Sequence, residues 1–164
     1  MRIFTHCFET GSLGGKMLTR VERVLALKNI ELFHDIPGEV LADIAALLEE
    51  ETFEKGQYIV NEGDLGKEMY MIVKGEVEVV AGGNVVAVMK DGAGFGEMAL
   101  IDSQPRSADI VAKNDVLVLK MESDDFLEIL KQRDEVALGV IRVLTGRIRE
   151  LNAKLAEKAG KKGK

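Results

Sequence analysis

From Thr52 to Met121 the chain is a succession of short apolar runs separated by glycines and other turn-forming residues, and this pattern constrains the fold more than anything else in the sequence. The runs are Tyr58–Val60, Met69–Val73, Val77–Val80, Val85–Met89, Ile110–Ala112 and Val116–Met121. Each is too short for an amphipathic helix, and valine and isoleucine recur in them, as expected on a pleated surface. Strands this short, with no helical stretches between most of them, build a sandwich or β-roll rather than βαβ units. Gly82-Gly83-Asn84 predicts a hairpin turn between two of the strands.

The flanks carry a helical period. Met17 opens a predicted helix with Leu18, Val21, Val24 and Leu25 on one side. A second is predicted from Pro37 to Glu50, capped by Asp35, with Val40, Leu41, Ile44, Leu47 and Leu48 on its apolar face. After the strands, Ser123 is placed as the cap of a helix whose inner face holds Phe126, Ile129 and Leu130. A long helix is predicted from Glu135 to Ala159, on which Ile141, Leu144, Ile148, Leu151 and Leu155 recur at heptad spacing. That stripe either packs on the domain itself or pairs with a second copy.

The expected class is therefore α+β, mainly β: a β-roll of the jelly-roll or double-stranded β-helix type, with N-terminal helices and two C-terminal helices. Residues 17–159 are read as one domain, with N-terminal helices over 17–50, the β-roll over 51–121 and C-terminal helices over 123–159. Residues 1–16, rich in Gly, Ser and Thr, are read as a disordered extension, and 160–164 as a disordered tail. Gly14-Gly15-Lys16 is not a phosphate loop, because Thr10 and Met17 stand where that motif needs glycine and a hydroxyl.

Composition narrows the function. A net charge of −6 and a pI near 5.1 argue against a general nucleic-acid binder. One cysteine, Cys7, rules out an internal disulfide and fits a reducing, cytoplasmic setting. No apolar run reaches membrane-spanning length, and no secretory signal opens the chain. The two histidines, His6 and His34, lie outside the strand region, so neither a metal site nor an acid–base pair is expected there, and no catalytic residue is assigned.

The segment with the densest chemistry is Phe95 to Ala108, F-G-E-M-A-L-I-D-S-Q-P-R-S-A. Gly96 lets a ligand lie close to the backbone. If Glu97 to Leu100 form a helical turn, its first N–H groups are free to meet an anion. Glu97, an acceptor when ionised, suits a sugar hydroxyl, whereas Arg106 offers a planar fork to phosphate oxygens. Pro105 stiffens the loop before the arginine, Ser107 adds a hydroxyl, and Ala108 leaves room. The set fits a sugar joined to an anionic phosphate.

In this order and spacing the segment resembles the phosphate-binding cassette of cyclic nucleotide-binding domains. The match covers Phe95–Leu100 and Pro105–Ala108, and a looser likeness extends over Phe33–Leu155, including Glu62-Gly63-Asp64 and Lys74-Gly75-Glu76. The resemblance implies that Glu97 binds the ribose 2′-hydroxyl and Arg106 the cyclic phosphate. Backbone at Gly96, Met98, Ala99, Ser107 and Ala108 would complete the cradle. It implies a ligand, cAMP or cGMP with cAMP preferred, and no cofactor or metal. A serine after the arginine does not decide the base. Arg149, Leu151 and Asn152 are candidates for covering it. By the same likeness, ligand would draw the C-terminal helices over the pocket. No helix-turn-helix follows within these residues, so DNA binding is not expected. Output would pass to an unidentified effector protein, or to a homodimer through Ile141, Leu144, Ile148, Leu151 and Leu155. The competing reading is a scaffold of the same fold that works by protein contact without ligand.

Overall fold

The computed structural model describes residues 17–102 and 104–161. The elements run α1 (Arg20–Asn29), α2 (Gly38–Ala46), β1 (Glu49–Phe53), β2 (Tyr58–Val60), β3 (Glu68–Lys74), β4 (Glu76–Ala81), β5 (Asn84–Lys90), β6 (Gly94–Phe95), α3 (Glu97–Asp102), β7 (Asp109–Ala112), β8 (Val116–Glu122), α4 (Ser123–Gln132) and α5 (Asp134–Lys161). The eight strands form two antiparallel sheets, ordered β1-β8-β3-β6 and β2-β7-β4-β5, and the molecule is the expected jelly-roll-like β-roll with helices at both ends. The extension expected over 1–16, with His6 and Cys7, lies outside the described residues, as do 162–164. Helix α5 runs through Gly160 and Lys161, the first two positions of the expected tail.

Two apolar clusters hold this arrangement. One packs the helices on the first sheet, with Leu27, Phe33, Leu41, Phe126 and Val136 against Met69, Met71, Leu119 and Met121. The other lies between the sheets, around Ile72, Val77, Ile110, Val116 and Val118. Each fully buried Leu, Ile, Phe or Met contributes about 1.5–3 kcal/mol relative to exposure. Gly82 and Gly83 form the two-residue β4–β5 turn, both at positive φ, and Asn84 pairs with Ala81 as the first strand residue.

Several boundaries depart from expectation. Helix α1 starts at Arg20, after a capping box in which the Thr19 hydroxyl accepts from the Glu22 N–H and the Glu22 carboxylate accepts from the Thr19 N–H. Its buried face holds Ala26 and Leu27, whereas Val21 and Leu25 are exposed. Helix α2 is shorter than predicted and begins behind Pro37. Leu47 is exposed, and Asp35 instead pairs with His34 and Arg142. Glu122, not Ser123, is the N-cap of α4.

Strand β1 was absent from the predicted strands because Glu49-Glu50-Glu51 is poor strand sequence by propensity. Tertiary partners override that. Glu49 lies directly opposite Lys120 and both Glu49 and Glu51 pair with its ammonium, while Glu50 pairs with Arg23. The sheet therefore begins before residue 51.

Candidate functional site

The site is built where the chain crosses from β6 into α3. Gly94 and Phe95 pair with Met71 and Tyr70 on β3, and the Phe95 and Tyr70 rings stack with centroids 5.3 Å apart. At Gly96 the backbone turns with φ of 92°. A Cβ there would come within 2.6 Å of the Arg106 Nη1 and 2.9 Å of the Glu68 carbonyl, so both conformation and space require glycine.

Arg106 returns to this turn from the far side of α3. Its N–H donates to the Asp64 carbonyl at 2.8 Å and its carbonyl accepts from the Gly63 N–H at 2.9 Å, which locks its backbone against the β2–β3 loop. The side chain is only 5% exposed. Nη1 donates to the Gly96 carbonyl at 3.0 Å and Nη2 to the Glu68 carbonyl at 2.5 Å, with the Glu68 carboxylate 3.6 Å away. The guanidinium is thus fixed by backbone oxygens rather than fully neutralised by a close carboxylate.

Glu97, the first residue of α3, is 1% exposed. One carboxylate oxygen accepts from Arg147 on α5, whose other terminal nitrogen donates to the Gly94 carbonyl at 2.6 Å. The second, Oε2, is buried with no hydrogen-bond partner among the described residues. An unsatisfied buried acceptor costs about 1–3 kcal/mol, and more when charged, so this oxygen is a strong demand for a donor.

These groups face a cavity of about 200 Å³. Gly96, Glu97, Met98, Arg106, Ser107 and Ala108, all candidates from the sequence, line it. Ala99 lies in α3 with its side chain outside the described set. Asp102, Gln104 and Arg147 complete the polar part of the lining, and Val60, Val79, Met89, Phe95 and Ile110 form an apolar wall. The arrangement can hold an anion at Arg106, hydroxyl donors at Glu97 and a flat apolar group against the valines and Met89.

The residues expected to cover the base lie away from the cavity lining. Arg149, Leu151 and Asn152 are exposed on α5 and do not reach the described lining, whereas Arg147 does. Arg147 follows Val136, Val140 and Val143 at intervals of four, three and four residues, on the helix face buried against the domain. A cation in line with an apolar face was the available signal. The heptad stripe lies elsewhere: Ile141, Ile148, Leu151 and Leu155 are exposed, and only Leu144 packs partly on the core.

Among the described residues no group of three or more His, Cys, Asp and Glu could hold a metal, and no helix is long and apolar enough to cross a membrane. His34 is exposed and paired with Asp35.

Comparison with known proteins places this geometry. The family sequence model described as cyclic nucleotide-binding domain matches residues 50–133. The mouse cGMP-dependent protein kinase 2 is 32% identical over 133 residues, 77% of this chain and 17% of the kinase. The cyclic AMP receptor protein of Thermus thermophilus is 30% identical over 79% of this chain and 62% of its own length. The chain thus spans less than two thirds of either relative. A solved cyclic nucleotide-binding domain from Methylobacillus flagellatus superposes with a TM-score of 0.74 at 26% identity, covering 85% of this chain and 83% of that one.

Proposed function

The chain belongs to the cyclic nucleotide-binding domain family, and we propose that it is a non-catalytic regulatory module that binds one cyclic nucleotide, cAMP in preference to cGMP, in the cavity between α3, the Arg106 loop and the β-roll. The observation that carries this reading is the buried, unpartnered Oε2 of Glu97 in the same cavity as Arg106. A ribose hydroxyl supplies the donor that Glu97 lacks. The cyclic phosphate takes the Arg106 fork and the N–H groups of Gly96, Met98, Ala99, Ser107 and Ala108. The purine lies on Val60, Val79, Met89 and Ile110. With a net charge of −6, capture of an anion has to be local, through these groups.

The preference for cAMP rests on the relatives. One relative is named for cGMP and the other for cAMP, and the second matches over a much larger share of its own length. Readout passes through α5, because Arg147 ties that helix to the carboxylate that the ribose would engage. Ligand then shifts the population of α5 positions by the difference in its affinity for them. The exposure of Ile141, Ile148, Leu151 and Leu155 favours a homodimer through α5, with Leu144 at its edge, as the route by which that shift leaves the domain.

Calorimetric titration of refolded protein with cAMP, cGMP and 5′-AMP tests the reading. Binding of a cyclic nucleotide but not 5′-AMP is expected. At about a hundred times its dissociation constant the ligand adds about 2.7 kcal/mol, a rise of roughly 5–10 °C in thermal midpoint for a domain this size. No heat and no thermal shift with either cyclic nucleotide would refute it and leave the scaffold reading.

A further inference from the structure

Gly66 sits in the β2–β3 loop, outside the Phe95–Ala108 segment, and is not among the described residues that line the cavity. Its φ lies outside the left-handed region, so the turn itself does not ask for glycine there. Space does. A Cβ built on Gly66 would overlap the Arg106 guanidinium at Cζ, Nε and Nη2, and no other atom comes as near. The contrast with Gly96 is informative, because Gly96 combines positive φ with two close neighbours. At Gly66 the three nearest atoms all belong to the arginine.

The same loop holds the other end of Arg106. Gly63 donates to its carbonyl and Asp64 accepts from its N–H. Two residues beyond Gly66, the Glu68 carbonyl accepts from Nη2 and the Glu68 carboxylate lies near the same nitrogen. The segment from Gly63 to Glu68 therefore forms a slot: backbone bonds at one end, a missing side chain in the middle, and an acceptor at the far end.

We propose that Gly66 is the positioning residue for the anion-binding arginine, its missing side chain leaving the slot in which the Arg106 guanidinium donates to the Glu68 and Gly96 carbonyls and faces the cavity. The proposal rests on the cyclic-nucleotide reading for its ligand, but its geometric content does not. An alanine at 66 can keep the local backbone, so the flexible end of Arg106 has to give way, and a fork displaced from two fixed carbonyls no longer meets phosphate oxygens in register. The fold should survive while the anion contact weakens.

Four proteins test this: wild type, Gly66→Ala, Arg106→Ala and the double variant, each titrated with cAMP and each unfolded thermally without ligand. Gly66→Ala is expected to weaken cAMP at least tenfold. In the Arg106→Ala background the same change should have no further effect on cAMP, because the group it displaces is gone. Without ligand, Gly66→Ala should lower the thermal midpoint when Arg106 is present and raise it, or leave it unchanged, when Arg106 is absent. Wild-type cAMP affinity in Gly66→Ala, or equal losses in both backgrounds, would overturn the proposal. Should wild type bind no cyclic nucleotide, the functional reading fails, and the thermal cycle alone still decides the slot: destabilisation by Gly66→Ala only when Arg106 is present supports it, and equal destabilisation in both backgrounds overturns it.

Discussion

Two arginines reach the same turn from opposite parts of the chain, and they are held in different ways. Arg106 belongs to the loop that closes α3 and donates to Gly96. Arg147 comes from the middle of α5 and donates to Gly94 and Glu97. The Arg106 side chain is 5% exposed and its backbone is pinned to the β2–β3 loop, whereas that of Arg147 is 34% exposed on a helix packed through Val136, Val140 and Val143. Moving the Arg106 backbone means disturbing the β-roll. Moving Arg147 means tilting one helix. The first arrangement suits a fixed anchor and the second a sensor of occupancy.

The largest expected effect is at the anchor. Arg106→Ala should weaken cAMP by about 2–5 kcal/mol, the usual consequence of truncating one partner of a desolvated charge pair. That is roughly thirty- to several-thousandfold in dissociation constant by titration calorimetry. Undiminished affinity in this variant would make the anchor and the sensor equivalent and end the comparison.

The same contrast explains what was legible in the sequence. Gly96, Glu97 and Arg106 could be read together because glycine, acid and base fall within eleven positions and the fold brings that short stretch back on itself. Six of the eight strands could be read because their apolar runs are bounded by glycine or, around Ile110–Ala112 and Val116–Met121, by polar turn residues such as Asn114 and Asp115. The two that were not, β1 and β6, are set by partners: Lys120 and Arg23 neutralise a run of three glutamates, and Gly94–Phe95 is too short to show a period. Arg147 and Gly66 were missed for one reason. Each acts through a contact across dozens of residues, fifty from Glu97 to Arg147 and forty from Gly66 to Arg106, which spacing cannot reveal. On α5 the loudest pattern, the heptad stripe, marked the face turned away from the domain.

A smaller effect is expected at the sensor. Arg147→Ala leaves both oxygens of Glu97 buried without a protein partner, which should lower unliganded stability by about 1–3 kcal/mol in urea unfolding. Binding of cAMP should persist, because ribose hydroxyls still have an acceptor, and ligand should recover more stability in the variant than in wild type. Loss of binding as complete as in Arg106→Ala would show that α5 is part of the anchor.

Below Arg147 on α5 the comparison concerns assembly rather than ligand. Every described residue from Ile148 to Lys158 is exposed, so Ile148→Asn with Leu151→Asn should change monomer stability by no more than about 0.5 kcal/mol. Sedimentation velocity is expected to show a wild-type dimer that the double variant lacks. A monomeric wild type at tens of micromolar would remove the dimer from the proposal and leave ligand binding intact.

The smallest effect lies on the sheet that carries β1 and can be followed by pH. Lys120 donates to Glu49 and Glu51, which holds the Glu49 carboxyl below its ordinary value of 4.5 and the Lys120 ammonium above its ordinary 10.5. For the acid, the folded value is depressed, so its contribution is complete above 4.5 and is lost as pH falls through the lower, folded value. For the lysine, the folded value is raised, so its contribution is complete below 10.5 and is lost as pH rises through the higher one. Lys120→Met removes both. The stability difference between wild type and variant should therefore be flat from about pH 5 to 10 and shrink on either side. A difference that keeps growing as pH falls below 4 would assign the β1 pairing to packing of the lysine stem rather than to its charge, and β1 would then be held like the apolar strands after all.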